Sequence, residues 1–344
     1  MPDRARILFR CDAGAALGGG HVMRCLTLAD ELARQGAEID FLVNDEALMV
    51  VPALDRSVYK VRTVESLGGT GQAEAMAADI IVFDHYGLGA EDHRAARPNA
   101  RHIVVIDDLA DRAYDCDLLI DHNHAKTEAD YAGRTPPGAR VLAGAQFALI
   151  QPGFAATRSA SLERRAGARL NRVLISFGLT DVGGVSRQAY HAVRAALPDC
   201  QVEIVVAARA PSRAELEACA RTDPLVRLHA EAQDMAALMS RADLALGGAG
   251  GSALERCVMG LPSLTITVAD NQLALAAALH EAGAAMSLGP APADAARITR
   301  ALHNLKAAPA MLRLMSERAA TICDGRGAER AARAILSLFD QVMT

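Results

Sequence analysis

The 344-residue chain carries a formal net charge of −5 and is 51% hydrophobic, enough apolar material for two cores of roughly 150 residues each and too much chain for one. Its Lys and Arg residues are scattered, aromatic residues make up 3% and Trp is absent, so neither a basic footprint nor a stacking platform for nucleic acid is present. No apolar run approaches the ~20 residues that span a bilayer, which argues against stable membrane insertion. The seven cysteines (Cys11, Cys25, Cys116, Cys200, Cys219, Cys257 and Cys323) form no CxxC or Cys/His spacing, which argues against a structural zinc site or disulfide framework; reduced, mostly buried thiols in a cytoplasmic protein are expected.

In chain order, short apolar runs recur between helix-period segments: RILFRC, a helix from about His21 to Arg34, IDFLV, then DIIVFD, HIVVID and DLLID. This βαβ rhythm predicts a doubly wound parallel sheet, with its ligand crevice at the carboxyl ends of the strands. From Gln151 to Asn171 the text becomes polar and Arg-rich, which predicts a connection between domains. VLISFG, VEIVVA, VRLHA, DLALGG and SLTIT predict five more strands, with SRQAYHAVRAAL and NQLALAAALHEAG as helices, and beyond Pro292 the chain reads as helical. The expected division is a Rossmann-like domain over 1–152, a linker over 153–170, a second Rossmann-like domain over 171–325, and a terminal helix over 326–344 packing back on the first domain. Two such domains imply a cleft between them.

The first candidate site is RCDAGAALGGGHVMR, Arg10 to Arg24, where a strand ends in a glycine loop and runs into a helix. Gly18, Gly19 and Gly20 let backbone approach a ligand, and the N–H groups of the helix start favour an anion or a sugar there. The turn delivers His21, whose imidazole ordinarily titrates near neutrality and can take a proton from water. His21 is equally open to a bland reading as a neighbour of the helix cap. The second site, GGAGGSALERCVMGLP from Gly247 to Pro262, repeats the strand, glycine turn and helix. Gly250, Gly251 and Ser252 can present donors to a pyrophosphate, and Glu255 one turn later can accept from ribose hydroxyls; the alternative is a packing turn with a solvated Glu. Neither loop has the full dinucleotide fingerprint.

Asp84, His85 and Tyr86 follow one predicted strand and Asp107 and Asp108 another. Such groups orient sugar hydroxyls or tune a nearby base, or, for Asp107 and Asp108, cap the next element. Asp121, His122 and His124 invite a metal reading, but three ligands within four residues of an irregular segment rarely converge on one ion. In ADNQ, Ala269 to Gln272, the amides can read hydroxyls or an acyl group, while Asp270 can cap a helix.

In this order the motifs RCDAGAALGGGHVMR, FDHYGL, IDDLADRAYDCDLLID, QPGFAATR, GGAGGSALERCVMGLPSL and DNQ resemble the UDP-2,4-diacetamido-2,4,6-trideoxy-β-L-altropyranose hydrolase family of pseudaminic acid biosynthesis, relatives of the MurG-type glycosyltransferases. The resemblance runs from about Ile7 to Gly283. It implies an α/β GT-B fold, two doubly wound Rossmann-like domains facing a cleft, with His21 activating water, Tyr86 and Asn271 lining the sugar site, and Gly250, Gly251, Ser252 and Glu255 holding the nucleotide. It further implies inversion at the anomeric carbon without metal or cofactor, and a product destined for flagellin or a surface polysaccharide.

The full expected set adds Arg10, Asp12, Gly19, Gly20 and Gln272 to the substrate site and Gly178 to the nucleotide site. Two segments depart from the family. SFGLTDVGG, Ser176 to Gly184, stands where a double-glycine turn followed by Ser-Asp-Pro is usual, with Leu179 in place of the second glycine, and DHNH replaces an Asn-Gln-Asn run. Three functions compete: the hydrolase, a GT-B glycosyltransferase that moves the sugar to an acceptor, and a non-catalytic sugar-nucleotide binder in which His21 is dispensable.

Overall fold

The computed structural model describes residues 4–14, 17–64, 77–178, 181–208, 210–230 and 234–340. They divide into two compact units, one of Met1–Ile150 with Arg326–Thr344 and one of Gln151–Gly325. The first unit runs β1 (Arg6–Cys11), α1 (Gly20–Arg34), β2 (Glu38–Asn44), α2 (Glu46–Val50), α3 (Pro52–Asp55), β3 (Lys60–Val64), β4 (Ala78–Asp84), α4 (Ala90–Ala96), β5 (Ala100–Ile106), β6 (Leu118–Asp121) and β7 (Arg140–Ala143). These strands form one parallel sheet in the order β3-β2-β1-β4-β5-β6-β7. Alternate residues feed opposite faces, as the period of two requires. Ile7, Phe9, Ile80, Val82, Val104 and Ile106 pack with Val22, Cys25, Leu28 and Leu32 of α1. Leu8, Ile81, Phe83, Ile103 and Val105 pack on the other side with Leu88, Ala96, Tyr114 and Tyr131. Each large aliphatic side chain so buried contributes roughly 1.5–3 kcal/mol, and apolar residues on both faces are why these strands read as continuous apolar runs.

The second unit runs α5 (Pro152–Arg165), β8 (Arg172–Ser176), α6 (Val185–Ala196), β9 (Gln201–Val205), α7 (Arg213–Thr222), β10 (Val226–His229), α8 (Met235–Arg241), β11 (Leu244–Gly247), α9 (Gly251–Val258), β12 (Ser263–Thr267), α10 (Leu273–Glu281), β13 (Ala285–Pro290), α11 (Ala295–Ala307) and α12 (Pro309–Ile322). Its sheet is again parallel, in the order β10-β9-β8-β11-β12-β13. Each sheet therefore reverses its direction of growth once, between β1 and β4 and between β8 and β11. Open α/β sheets hold their ligands at such switch points, outside the carboxyl ends of the strands.

Two expectations are corrected. The stretch read as a linker over 153–170 is mostly α5, a helix opened by Pro152 at its first position. It belongs to the second unit, where the buried guanidinium of Arg165 donates to the carbonyl oxygens of Ser161, Met239 and Ala242. The second correction concerns three strands absent from the reading, β3, β7 and β13. All three are sheet edges with mixed burial, so their composition lacks the doubly buried signature. The terminal helix α13 (Gly327–Asp340) returns to the first unit and packs against α1. Gly327 permits this, because a Cβ there would lie 2.2 Å from the Ala148 carbonyl oxygen.

Candidate active site

The first switch point is built from the loops after β1 and β4. Gly14 and Gly18 exchange two backbone hydrogen bonds, of 3.2 and 2.8 Å, closing the loop after β1 on itself. The chain then enters α1, whose first turn carries His21. Because Cys11 and Asp84 are paired in register, Asp84 at the end of β4 comes beside that turn, with His21 Nδ1 2.5 Å from Asp84 Oδ1. Arg24, one turn further along α1, grips the same carboxylate with Nε and Nη2, each at 2.6 Å. Its Nη1 donates to Asp108 Oδ2 at 3.0 Å and to His122 Nε2 at 3.3 Å. Tyr86 packs its ring edge-on to the imidazole, with centroids 4.4 Å apart.

Charge decides the tautomer. Burial opposes ionisation of Asp84, but the charge of Arg24, aided by His21, holds its carboxyl well below the usual carboxylate range. An ionised Asp84 can only accept, so Nδ1 of His21 carries the proton and a neutral imidazole keeps its lone pair on Nε2. Nε2 has no hydrogen-bond partner among the described residues, and the side chain retains 6% exposure. Burial also opposes ionisation of Asp108, which Arg24 and His122 lower. His122 is pushed down to about 4 by burial and by Arg24 and is neutral near pH 7. Two carboxylates and one guanidinium thus leave one net negative charge, which a protonated His21 neutralises.

Arg10 and Asp12, expected in the substrate site, are both 0% exposed and cannot touch a solute as they stand. They pair with each other through the two terminal guanidinium nitrogens of Arg10. Asp12 also accepts from the Asn44 N–H at 2.9 Å and from His85 Nε2 at 2.9 Å. Burial would raise its carboxyl, but the bonds from His85 and Arg10 bring it to about 2. His85 Nδ1 in turn accepts from the Gly87 N–H, so this buried anion braces the loop that presents Tyr86. Asp121 and His122 diverge: Asp121 bonds the Tyr131 hydroxyl and the Asn123 N–H, while His122 faces Arg24. Asp107 binds the N–H groups of Leu109 and Ala110 and so caps a turn.

At the second switch point β11 ends at Gly247, paired with Ser176 of β8. A Cβ on Gly247 would sit 2.6 Å from the Ser176 carbonyl oxygen, so only glycine allows the strands this close. Gly250 precedes α9 with extended backbone, Gly251 is exposed and Ser252 half-buried. Glu255 is partly enclosed and makes no side-chain hydrogen bond or ion pair among the described residues; burial lifts its carboxyl to about 7. Gln272 does not point its carboxamide oxygen outward: Oε1 accepts from the Ala249 and Val268 N–H groups at 3.1 and 3.2 Å, clamping the glycine turn. Asn271 beside it is exposed, as is Gly178 with φ +88°. Leu179 lies outside the described residues, while Asp181 after it is buried and accepts from the Ser186 N–H and hydroxyl and from the Ser212 hydroxyl.

Comparison of the whole architecture gives a likeness to the crystal structure of Acinetobacter baumannii MurG, with a TM-score of 0.67 and 16% identity, over 97% of this chain and 99% of that one. The fold is GT-B. Among curated proteins this GT-B chain is similar to the UDP-2,4-diacetamido-2,4,6-trideoxy-β-L-altropyranose hydrolase of Campylobacter jejuni, 22% identical over 69% of this chain and 82% of the relative. It is also similar to the spore coat polysaccharide biosynthesis protein SpsG of Bacillus subtilis, 23% identical over 96% of this chain and 97% of the relative. No protein-family model matches it. Among the described residues no helix is long and apolar enough to cross a membrane.

Within the GT-B frame, the structure brings together His21 and Tyr86 with Asp84 and Asp108, two of the carboxylates the sequence offered for tuning a nearby base, and adds Arg24. Arg24 was legible in one respect: it stands three residues from His21, on the same helix face. That Asp108 and His122 meet Arg24 had no local signal, because only the adjacency of β4, β5 and β6 carries their loops to it.

Proposed function

We propose that the chain hydrolyses a UDP-sugar at the anomeric carbon, with UDP-2,4-diacetamido-2,4,6-trideoxy-β-L-altropyranose or a close UDP-deoxyaminosugar as substrate, in the cytoplasmic biosynthesis of pseudaminic acid for flagellin or a surface polysaccharide. The observation that carries this reading is the His21–Asp84 pair, which leaves Nε2 at the switch point without a hydrogen-bond partner among the described residues. Similarity to the Campylobacter hydrolase supports the choice of substrate.

In this mechanism water attacks C1 on the face opposite the nucleotide and gives its proton to His21 Nε2. The C1–O bond breaks with its electron pair leaving on the β-phosphate oxygen of UDP, and the configuration inverts. The imidazolium that forms is stabilised by Asp84 and by the net negative charge of the Asp84, Asp108 and Arg24 cluster. Tyr86 contacts the sugar, with Gly19 and Gly20 at the start of α1. Gly178, Gly250, Gly251 and Ser252 hold the diphosphate, and Glu255, with no side-chain hydrogen bond among the described residues, accepts from the ribose hydroxyls.

The test is UDP release from the purified UDP-sugar in buffer with EDTA and no acceptor. Wild-type chain should release UDP, and His21→Asn should keep UDP affinity while losing about 10²–10⁴-fold in turnover. Release that requires an acceptor would move the chain to the glycosyltransferases, and equal turnover by His21→Asn would remove His21 from the chemistry. Binding without release by either chain would leave a sugar-nucleotide binder.

A further inference from the structure

Arg256 lies behind the glycine turn of the second unit and is 2% exposed. Its fork donates to Ser263 Oγ at 3.1 Å, to Ser252 Oγ at 3.2 Å and to the Gly248 carbonyl oxygen at 2.5 Å. The missing side chain of Gly247 makes room for it, since a Cβ there would be 2.8 Å from Arg256 Nη1. No carboxylate forms an ion pair with Arg256 among the described residues; burial pulls its guanidinium down to about 10, and the through-space charges of Cys257 and Glu255 offset that only in part. A buried cation with only neutral acceptors is costly. Neutral side chains can brace a turn at lower cost, so retention of the charge calls for an anion close by.

The path to that anion runs through Ser252. Its oxygen accepts from Arg256, which leaves its own O–H to donate outward, beside the Gly251 and Ser252 N–H groups that open α9 without an intrahelical acceptor. Taking the nucleotide reading above as its basis, the geometry points to Arg256 as a positioning residue for the diphosphate. It sets the glycine turn from behind and makes the Ser252 hydroxyl a stronger donor to the phosphate oxygens. The group leaving C1 as UDP is thereby met by a positive charge that never contacts it, and cooperative polarisation along the chain of donors carries the effect.

The test measures binding of inorganic pyrophosphate, UDP and uridine to the full-length wild-type chain and to Arg256→Gln and Ser252→Ala, by titration calorimetry, with the melting temperature of each free protein. Arg256→Gln should weaken pyrophosphate and UDP by about tenfold or more, change uridine by less than about twofold, and leave the free melting temperature level or higher. Ser252→Ala, which keeps the cation, should show the same selective loss. Equal losses for uridine and UDP, or unchanged pyrophosphate affinity in both variants, overturn the inference. A wild-type chain that binds pyrophosphate in this Arg256-dependent manner yet releases no UDP from the UDP-sugar refutes the hydrolase reading alone and leaves the buried cation in its role.

Discussion

At the scale of single residues, Arg24 separates support from chemistry. Its guanidinium is the only cation bonded to both Asp84 and Asp108 among the described residues, and its side chain is 12% exposed. Arg24→Met leaves two enclosed carboxylates without the cation they share, which should destabilise the first unit by about 3–5 kcal/mol. The pH profile should change as well. In the wild type the Asp84 carboxyl is held low, so its contribution to stability is present above the unfolded carboxylate pKa and is lost only as pH falls through the lower folded value. Without Arg24 the burial that opposes ionisation dominates, and the acid limb of kcat/KM should move upward toward neutrality. A profile with the same acid limb in wild type and variant would show that Arg24 does not control Asp84.

Among elements, the ends of β5 and β6 share a buried proton. The Tyr131 hydroxyl lies 2.8 Å from Asp121 Oδ2 and 3.0 Å from Asp107 Oδ2, and one phenolic hydrogen cannot serve two carboxylates. Asp107 receives two backbone N–H groups and faces Arg112 at 3.0 Å, so the phenolic hydrogen goes to it. Burial raises Asp121 to about 7, and it keeps a proton that it donates to the phenol. A raised carboxyl penalises the folded state as pH climbs, because the unfolded chain ionises first. Between about pH 4 and 7 this group removes up to about 4 kcal/mol of stability. Asp121→Asn should abolish that dependence and stabilise most above pH 7, as read by urea unfolding at pH 4.5 and 8. The strands themselves were legible where both faces are buried, as in DIIVFD and HIVVID, and illegible at β3, β7 and β13, where one edge lacks a neighbour and the side chains are mixed. The polar face of α5 hid a helix in the same way, since its Arg residues bond carbonyl oxygens of distant elements.

For the whole molecule, the return of α13 to the first unit makes the chain's last helix part of its first core. Ile335 is 0% exposed and packs in the same cluster as Phe9, Phe41 and Leu32. Ile335→Ala should destabilise the first unit by about 2–5 kcal/mol while leaving the unfolding of the second unchanged. Calorimetry with two separable transitions, only one of them shifted, is the expected record; a uniform shift would mean the units unfold as one. The sequence by itself determined the two α/β units, the strand–glycine turn–helix at each switch point and the placing of His21 in a first helical turn, because hydrophobic period and glycine are local signals. Only the tertiary structure decided which acid serves His21, since Asp84 is 63 residues away and β4 reaches it by crossing to the far side of β1. It also decided that Arg10 and Asp12 are buried in a mutual brace and that Arg256 stands buried with no ion pair among the described residues. Burial and neighbouring charge are properties of the packed whole, and no local pattern of residues encodes them.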